Sequence, residues 1–320
     1  MTITRRTVCR AGVAALAGTL AGALPGCGTE GYRGPSRTVT IAGGQPGGFY
    51  LEFAQVLARE INAAEPGLRC TAIDTEGSVS NIELIRAGKA DIGVSHTDIA
   101  LAAIDGRSPF AAPVPVRGIG RMYEDYLQLV VRADSPVREV SALAGRTVSV
   151  GALGSGTAIC AERLFAATRV EVTSRYQPLG DAVDALARKQ VDAVLWSGGV
   201  PTPALVRLHA RSRIRLLPIA QALPVLRERF GNAYQQVSIP AGGYGQAGTP
   251  TIGVANLLVC GRHLPDDVAA AITRVLVDRA VRLVPPQALG AQFLDRRTLI
   301  GLFGVPMHPG AATAYRQLHG

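Results

Sequence analysis

The stretch that decides the fold runs from Thr38 to Tyr50 and reads TVTIAGGQPGGFY. Its first residues alternate polar and apolar side chains like a short strand, and a loop with four glycines follows. From Phe49 onward, apolar residues recur at helical spacing. A strand that runs through a glycine loop into a helix presents backbone N–H groups and the positive end of the helix dipole to whatever occupies the loop. An anion is the natural occupant, although a tight turn that binds nothing has the same pattern.

Strand-like and helix-like segments continue to alternate along most of the chain, which is typical of βαβ units with parallel sheets. The pattern also repeats internally. A shift of 108 positions brings Gly43 onto Gly151, and a shift of 101 positions brings Asp91 onto Asp192. The chain therefore consists of two regions of similar design, each with a glycine loop at the carboxyl end of a strand.

We predict an α/β fold with two lobes, each a mixed, mainly parallel sheet flanked by helices. The lobes would face each other across a cleft, where open α/β sheets bind ligands. Two long apolar strands, residues 126–131 and 251–260, would cross between the lobes and hinge them. Lobe 1 would comprise residues 38–131 and 248–320, and lobe 2 would comprise residues 132–247.

The N-terminus has the three parts of a secretory signal peptide, predicted over residues 1–26. The paired Arg5 and Arg6 are similar to a twin-arginine export signal. The sequence Leu-Pro-Gly-Cys is similar to a bacterial lipobox, so Cys27 would be lipidated and would begin a linker over residues 27–37. A plain secreted protein or a membrane anchor remains open, although the apolar run is shorter than the ~20 residues that span a bilayer. We expect an extracytoplasmic protein, lipid-anchored to the outer face of the cell membrane.

Composition excludes several classes of protein. Charged residues make up 18% and hydrophobic residues 48% of the chain, which is typical of a folded globular protein and not of a disordered one. The formal net charge of +9 is scattered, and only residues 207–215 are dense in positive charge. Because that segment has no interleaved aromatic residues, we predict no nucleic-acid partner. A mildly positive field would help to collect a small anionic solute.

No catalytic constellation or metal-ligand spacing is visible, and we predict no cofactor and no metal. The three cysteines that follow the lipobox are widely spaced, and Cys70 and Cys260 lie in apolar runs typical of the core. The five histidines are scattered. The adjacent Glu124 and Asp125 are interpreted as solvated or capping groups. We expect a binding protein and not an enzyme.

Four segments rich in glycine and hydroxyl groups coincide with predicted helix starts, and their N–H and hydroxyl donors could together hold one carboxylate. These segments are Gly43–Tyr50, Thr75–Asn81, Gly151–Thr157 and Ser197–Thr202. The residues that we predict to contact the ligand are Gly47, Gly48, Tyr50, Ser78, Asn81, Ser155, Gly156, Thr157 and Ser197. Two aromatic residues are predicted to shape the rest of the pocket, namely Trp196 and Tyr244.

With these residues the chain resembles the TAXI family, the extracytoplasmic solute receptors of TRAP transporters. The resemblance covers residues 39–281. It rests on the motifs IAGGQPGGFY, TEGSVSNIELIRAGKADIGVSHTD, VGALGSGT and SGGVPTPAL, and on the Tyr244 loop. The chain departs from the family pattern at Gln45-Pro46, Leu51 and Ala158.

The resemblance implies the type II fold of periplasmic binding proteins, with hinged closure of two lobes. It implies capture of a small organic acid or amino acid, in the glutamate or 2-oxo acid class. The solute would pass to the membrane permease subunits of a TRAP-type secondary transporter, and the receptor would be a monomer.

Two alternatives stay open at this point. The same fold could sense a ligand for a membrane histidine kinase, which a single chain cannot distinguish from transport. It could also be an exported enzyme, in which case His96 and Asp98 are the candidates for a general base.

Overall fold

Strands and helices alternate along the chain in a computed structural model that describes residues 31–245, 248–284, 294 and 296–319. The predicted signal peptide and the lipidation site Cys27 lie outside the described residues. The strands are β1 Arg37–Ala42, β2 Leu68–Ile73, β3 Ile92–His96, β4 Val116–Arg132, β5 Thr147–Ser149, β6 Thr173–Arg175, β7 Ala193–Gly198, β8 Ile214–Leu217, β9 Tyr234–Ile239 and β10 Thr249–Gly261. The helices are α1 Phe49–Ala64, α2 Ser78–Arg86, α3 Thr97–Asp105, α4 Gly156–Thr168, α5 Leu179–Ala187, α6 Pro203–Arg211, α7 Leu223–Phe230, α8 Asp266–Asp278, α9 Ala280–Leu283, α10 Arg296–Leu299 and α11 Pro309–His319. Short 3-10 helices cover Val140–Leu143 and Ala220–Ala222.

The strands form one mixed sheet in which two parallel groups flank two long antiparallel strands. The strand order is β2-β1-β3-β10-β4-β7-β5-β6, with β8 paired to β4 and β9 paired to β10. The first group, β1 to β3, is parallel, and so is the group of β5, β6 and β7. The strands β4 and β10 pair antiparallel with each other and with their neighbours. The fold is therefore the mixed α/β arrangement that the sequence predicts.

The predicted crossover strand at residues 126–131 is only the second half of a longer strand. The strand β4 has 17 residues and begins at Val116. Its first half pairs with β10 from Gly253 to Gly261, and its second half pairs with β7. The strand β4 thus joins the second parallel group to β10, and β10 in turn pairs with β3 of the first group.

Buried apolar stripes fix the helices against the sheet. Helix α1 buries Phe49, Phe53, Leu57 and Ile61, which lie four residues apart and share one face of the helix. Fully burying such a side chain contributes roughly 1.5–3 kcal/mol before the cost of chain ordering. This face packs in one core with residues of β1, β3 and α8, whereas helix α4 packs in a second core with β5 and β7.

Ser80 and Glu83 have the spacing of a capping box, but they do not cap helix α2. The helix starts at Ser78, and Gly77 occupies its N-cap position with φ at +122°. The backbone N–H of Ser80 donates to the Gly154 carbonyl at 3.2 Å, while Glu83 pairs with Arg86. The start of α2 is therefore held by the loop before α4.

The internal repeat of the sequence has a structural counterpart, because Asp91 and Asp192 make matching contacts. Asp91 accepts a hydrogen bond from the backbone N–H of Thr40 at 2.8 Å, and its other oxygen lies 3.1 Å from Arg37 Nη2. Asp192 accepts from the N–H of Thr147 at 3.1 Å, and its other oxygen lies 3.3 Å from an Arg146 nitrogen. In each group, the aspartate ties a third strand to the first.

Candidate functional site

A small cavity of about 30 Å³ lies where the starts of α1, α2 and α4 meet the end of β7. Close backbone approach explains the glycines there. A Cβ atom on Gly156 would lie 2.6 Å from His96 Nδ1 and 2.8 Å from Ser78 Oγ. A Cβ atom on Gly48 would lie 3.3 Å from the Trp196 ring. The residues that line the cavity are Gly44, Gln45, Gly48, Phe49, Tyr50, Glu76, Gly77, Ser78, His96, Asp125, Ser155, Gly156, Thr157, Trp196, Ser197 and Gly198.

Most residues predicted to contact a ligand line this one cavity, although they come from four separate segments of the chain. They are Gly48, Tyr50, Ser78, Ser155, Gly156, Thr157, Trp196 and Ser197. Their role as ligand contacts stays a prediction.

Three other residues of the predicted set lie outside the cavity lining. Gly47 faces helix α6, since a Cβ atom there would lie 3.3 Å from an Arg207 nitrogen. The amide of Asn81 donates to the carbonyls of Gly43 and Val94, both at 2.7 Å, and so fixes the glycine loop from behind.

Tyr244 is buried in the second region with its hydroxyl occupied by protein partners. The hydroxyl accepts from the N–H of Thr202 at 2.8 Å and donates to Gln128 Oε1 at 2.6 Å. Burial raises the pKa of Tyr244 to about 12, against the opposing hydrogen bond from Thr202. This side chain supports the start of α6 and does not line the cavity.

The sequence interpretation of Glu124 and Asp125 as solvated groups is wrong, because both are buried in strand β4. The residues are 4% and 1% exposed, respectively. Glu124 pairs with Arg121, whereas Asp125 lines the cavity. Burial raises the pKa of Glu124 and Arg121 opposes the shift. Successive residues of a strand point to opposite faces, so only one carboxylate reaches the site.

His96 connects the two parallel groups at the cavity wall. Its Nε2 atom lies 3.0 Å from Asp125 Oδ2 and 3.1 Å from Ser197 Oγ. Its Nδ1 atom lies 3.7 Å from the sulfur of Cys160 in α4. Burial alone would lower the pKa of His96, but Cys160 and Asp125 outweigh burial and raise that pKa well above its ordinary value. The charged imidazolium is therefore favoured beside the Asp125 carboxylate.

The contacts of His96 do not form a serine triad, because Ser197 and Asp125 share the same nitrogen. In a triad the serine and the carboxylate contact opposite ring nitrogens. The thiol of Cys160 does contact the opposite nitrogen, but Cys160 is 1% exposed and is not part of the cavity lining. His96 therefore forms neither a serine triad with Ser197 nor a pair with a thiol that lines the cavity.

A second buried ionic cluster lies behind His96 and also joins the two groups. Asp98 of α3 accepts hydrogen bonds from Arg163 of α4 and, at 2.8 Å, from the Tyr234 hydroxyl. Arg163 also lies 2.9 Å from that hydroxyl. Asp98 is 4% exposed and Tyr234 is fully buried. Because the carboxylate and the guanidinium are paired, neither charge is left uncompensated.

The remaining polar groups of the cavity are mostly neutral donors. Among the described residues of its lining, none is arginine or lysine. The starts of α1, α2 and α4 supply backbone N–H groups and positive dipole ends, which are suited to a carboxylate. Two buried polar atoms of the lining, Asp125 Oδ1 and Trp196 Nε1, have no hydrogen-bond partner among the described residues.

Other chemical features of the described chain are few. Cys70, Cys160 and Cys260 are buried and free, which confirms the prediction that Cys70 and Cys260 are core residues. No group of three His, Cys, Asp or Glu side chains in the described residues is arranged to hold a metal ion. None of the described helices has both the length and the apolar character needed to cross a bilayer.

The chain belongs to the NMT1-like family, whose sequence pattern it matches over residues 41–317. It is similar in structure to MatC from Rhodopseudomonas palustris with bound malate, with a TM-score of 0.54 and 19% identity over 80% of this chain and 90% of that one. It is also similar to the periplasmic aliphatic sulphonate binding protein SsuA from Escherichia coli, with a TM-score of 0.50 and 16% identity over 88% and 83% of the two chains. A third similar structure is the periplasmic binding protein BugD, with a TM-score of 0.53 and 16% identity over 89% and 95%.

These comparisons confirm the predicted fold, which is the two-domain α/β fold of periplasmic binding proteins. The family shown is the NMT1-like family, which is a broader statement than the predicted TAXI membership. SsuA and BugD are named as periplasmic binding proteins, and MatC contains bound malate. Because all three identities lie below 20%, the similarity shows the fold alone.

Proposed function

We propose that this protein is an extracytoplasmic receptor that captures a small carboxylate-bearing solute between its two lobes. The observation that carries the proposal is the convergence of three helix starts from separate chain segments on one cavity, whose wall contains the buried Asp125 and Trp196. Backbone N–H groups at helix starts are suited to hold a carboxylate without a basic side chain.

Contacts that cross between the two groups support a mechanism of opening and closing. Gln45 of the glycine loop accepts a hydrogen bond from the N–H of Leu179 at 2.7 Å, and the Ser80–Gly154 and His96–Ser197 contacts lie nearby. Each links a residue of the predicted lobe 1 to one of lobe 2. A solute that touches both lobes would favour the closed state by its differential contacts.

We further propose delivery of the solute to a membrane permease, of the TRAP type that the sequence motifs imply. Tethering through Cys27 would hold the receptor at the outer face of the membrane. Replacing Cys27 with alanine should move the protein from the membrane fraction to the soluble extracytoplasmic fraction.

Uptake of the solute should require an ion gradient and not ATP. Uptake that depends on ATP instead would exclude a TRAP-type partner. If the partner is a sensor kinase, deletion of the receptor should leave the rate of solute uptake unchanged.

A thermal-shift screen tests the binding function. The purified protein is melted with amino acids, 2-oxo acids, 2-hydroxy acids and dicarboxylates, each beside the analogue in which every carboxylate is replaced by a primary amide. A solute at a hundred times its dissociation constant should stabilise the protein by about 2.7 kcal/mol, and the amide should not. Absence of a shift with every acid would contradict the proposal.

A matched pair of glycine substitutions tests the location of the site. Gly156→Ala places a methyl group against His96 and Ser78, so it should weaken solute binding at least tenfold. Gly180→Ala adds the same methyl group at the start of α5, where no atom lies within 4 Å of it. This control should bind like the wild type and gain about 0.5–1 kcal/mol in stability. Equal solute affinity in both variants, measured by calorimetry, would place the site elsewhere.

A further inference from the structure

The carboxylate of Asp125 lines the cavity, and only one of its two oxygen atoms has a partner among the described residues. Asp125 is 1% exposed, and its Oδ2 atom lies 3.0 Å from His96 Nε2. That contact fixes the orientation of the carboxylate. The Oδ1 atom is buried and has no hydrogen-bond partner in the part of the chain that the structure describes. A buried acceptor without a donor is costly, so such an atom in a ligand cavity indicates a donor on the ligand.

We propose that the solute carries a protonated amine beside its carboxylate, and that Asp125 Oδ1 binds the amine. The carboxylate would lie at the starts of α2 and α4, where N–H groups and dipole ends are directed. This inference rests on the proposed binding function and narrows it to zwitterionic amino acids. It departs from the malate that is bound to the similar MatC structure.

The charges around the cavity support a solute with no net charge. Asp125 and Asp98 are negative, whereas His96 and Arg163 are positive and contact them. Asp125, Asp98 and His96 are buried, Arg163 is largely buried, and these four charges balance one another. The exposed Glu76 of the lining adds one further negative charge. A zwitterion adds one charge of each sign, whereas a dicarboxylate adds two negative charges. The described lining residues include no arginine or lysine, and the imidazolium of His96 already contacts Asp125. Burying unpaired charge is strongly unfavourable.

The same geometry explains how a 2-oxo acid would be rejected. A keto oxygen in place of the amine would accept hydrogen bonds only, and it would face the Asp125 carboxylate. A site that is built to bind an N–H group discriminates by 10⁴–10⁵ against an analogue that lacks it, because its own polar group is then left unpaired. Even with partial relaxation, we expect at least a hundredfold preference for the amine.

Calorimetric titration with matched solutes tests this preference in the unmodified protein. Each set has one carbon skeleton: alanine, pyruvate and lactate; leucine and its 2-oxo and 2-hydroxy acids; glutamate, 2-oxoglutarate and 2-hydroxyglutarate. We expect binding by the amine member of at least one set, at least a hundredfold tighter than by its partners. Binding of an oxo or hydroxy acid with equal or higher affinity would overturn this inference and leave the carboxylate receptor intact. Binding by no member of any set would overturn both.

Replacement of Asp125 assigns the preference to this residue. Asp125→Asn keeps the size of the side chain and removes its charge, so it should weaken binding of the amine-bearing solute at least tenfold and shrink its advantage over the oxo analogue. Asp105→Asn removes a charge from the exposed face of α3, where Asp105 pairs with Arg107, and should change neither quantity. An unchanged amine preference in Asp125→Asn would contradict the assignment. Because the solute series uses the wild-type protein, it decides the proposal even if Asp125→Asn folds poorly.

Discussion

The two parallel groups of the sheet have equivalent residues before strands β3 and β7 but different residues near the carboxyl ends of these strands. Asp91 and Asp192 are equivalent in the internal repeat, and each contacts one backbone N–H group and one arginine of a neighbouring strand or its start. The same shift of 101 positions places His96 on Ser197, and both residues lie near the carboxyl ends of their strands, β3 and β7. These two residues differ and contact each other, with His96 Nε2 and Ser197 Oγ 3.1 Å apart. The two groups therefore share a repeated scaffold, whereas the residues that face each other across it differ and contact one another.

Loss of His96 should have the largest effect on stability. His96→Ala leaves the buried carboxylate of Asp125 without its basic partner, which costs about 3–5 kcal/mol for a buried pair. Urea denaturation would measure the free energy of unfolding. The double variant His96→Ala with Asp125→Ala should recover part of that loss. Additive losses in the double variant would show that the two side chains do not interact, and that the facing pair is not a functional unit.

The dependence of stability on pH sharpens the same comparison. The pKa of His96 is raised in the folded protein, so its contribution to stability is fully present below the pKa of an unfolded histidine, about 6.5. That contribution is lost as the pH rises through the folded pKa. Burial lowers the pKa of His308, which therefore acts in the opposite sense as the pH falls. The informative quantity is the difference between the wild type and His96→Gln, and it should shrink from pH 6 to pH 9. A constant difference would contradict a raised pKa.

The equivalent aspartates should behave alike and have a smaller effect. Asp91→Ala and Asp192→Ala each remove one acceptor for a backbone N–H group, at a cost of about 1–2 kcal/mol. The partner arginine side chains are 38% and 39% exposed, so the ion pairs add little. Because the two sites share no partner, the double variant should lose the sum of the single losses. Clearly unequal losses, or a change in solute affinity, would mean that the duplicated scaffold is not equivalent.

The sequence predicted the scaffold well, because alternating strands and helices with glycine loops determine it locally. The spacing of the residues predicted the starts of α1 and α4, the strand β7, and the equivalence of Asp91 and Asp192 in the internal repeat. The first half of β4 was missed, since residues 116–125 contain two glycines and four charged residues, which disfavour a strand by propensity. Its position between β10 and the helices overrides that preference. Strand β9 was missed as well.

Asp125 is the most informative residue that sequence reasoning did not find. Its burial depends on the missed half of β4, so its carboxylate had no visible reason to be a site residue. Tyr244 is the reverse case, a residue predicted for the site that does not line this cavity. Its loop was predicted to reach the pocket, but its hydroxyl satisfies Thr202 and Gln128, which lie far away in sequence. Long-range polar partners leave no periodic signal in a sequence, whereas helix starts and strand ends do.

The opposed starts of α2 and α4 have an energetic consequence. The Cβ of an alanine at Gly77 would lie only 3.6 Å from Ser155 Cα, so two positive dipole ends face each other at short range. Like ends repel, and this repulsion resists their approach when nothing negative lies between them. A carboxylate placed there turns the repulsion into two attractions. In the proposed receptor, the same backbone groups would favour separation of the lobes without a ligand and closure around a bound carboxylate.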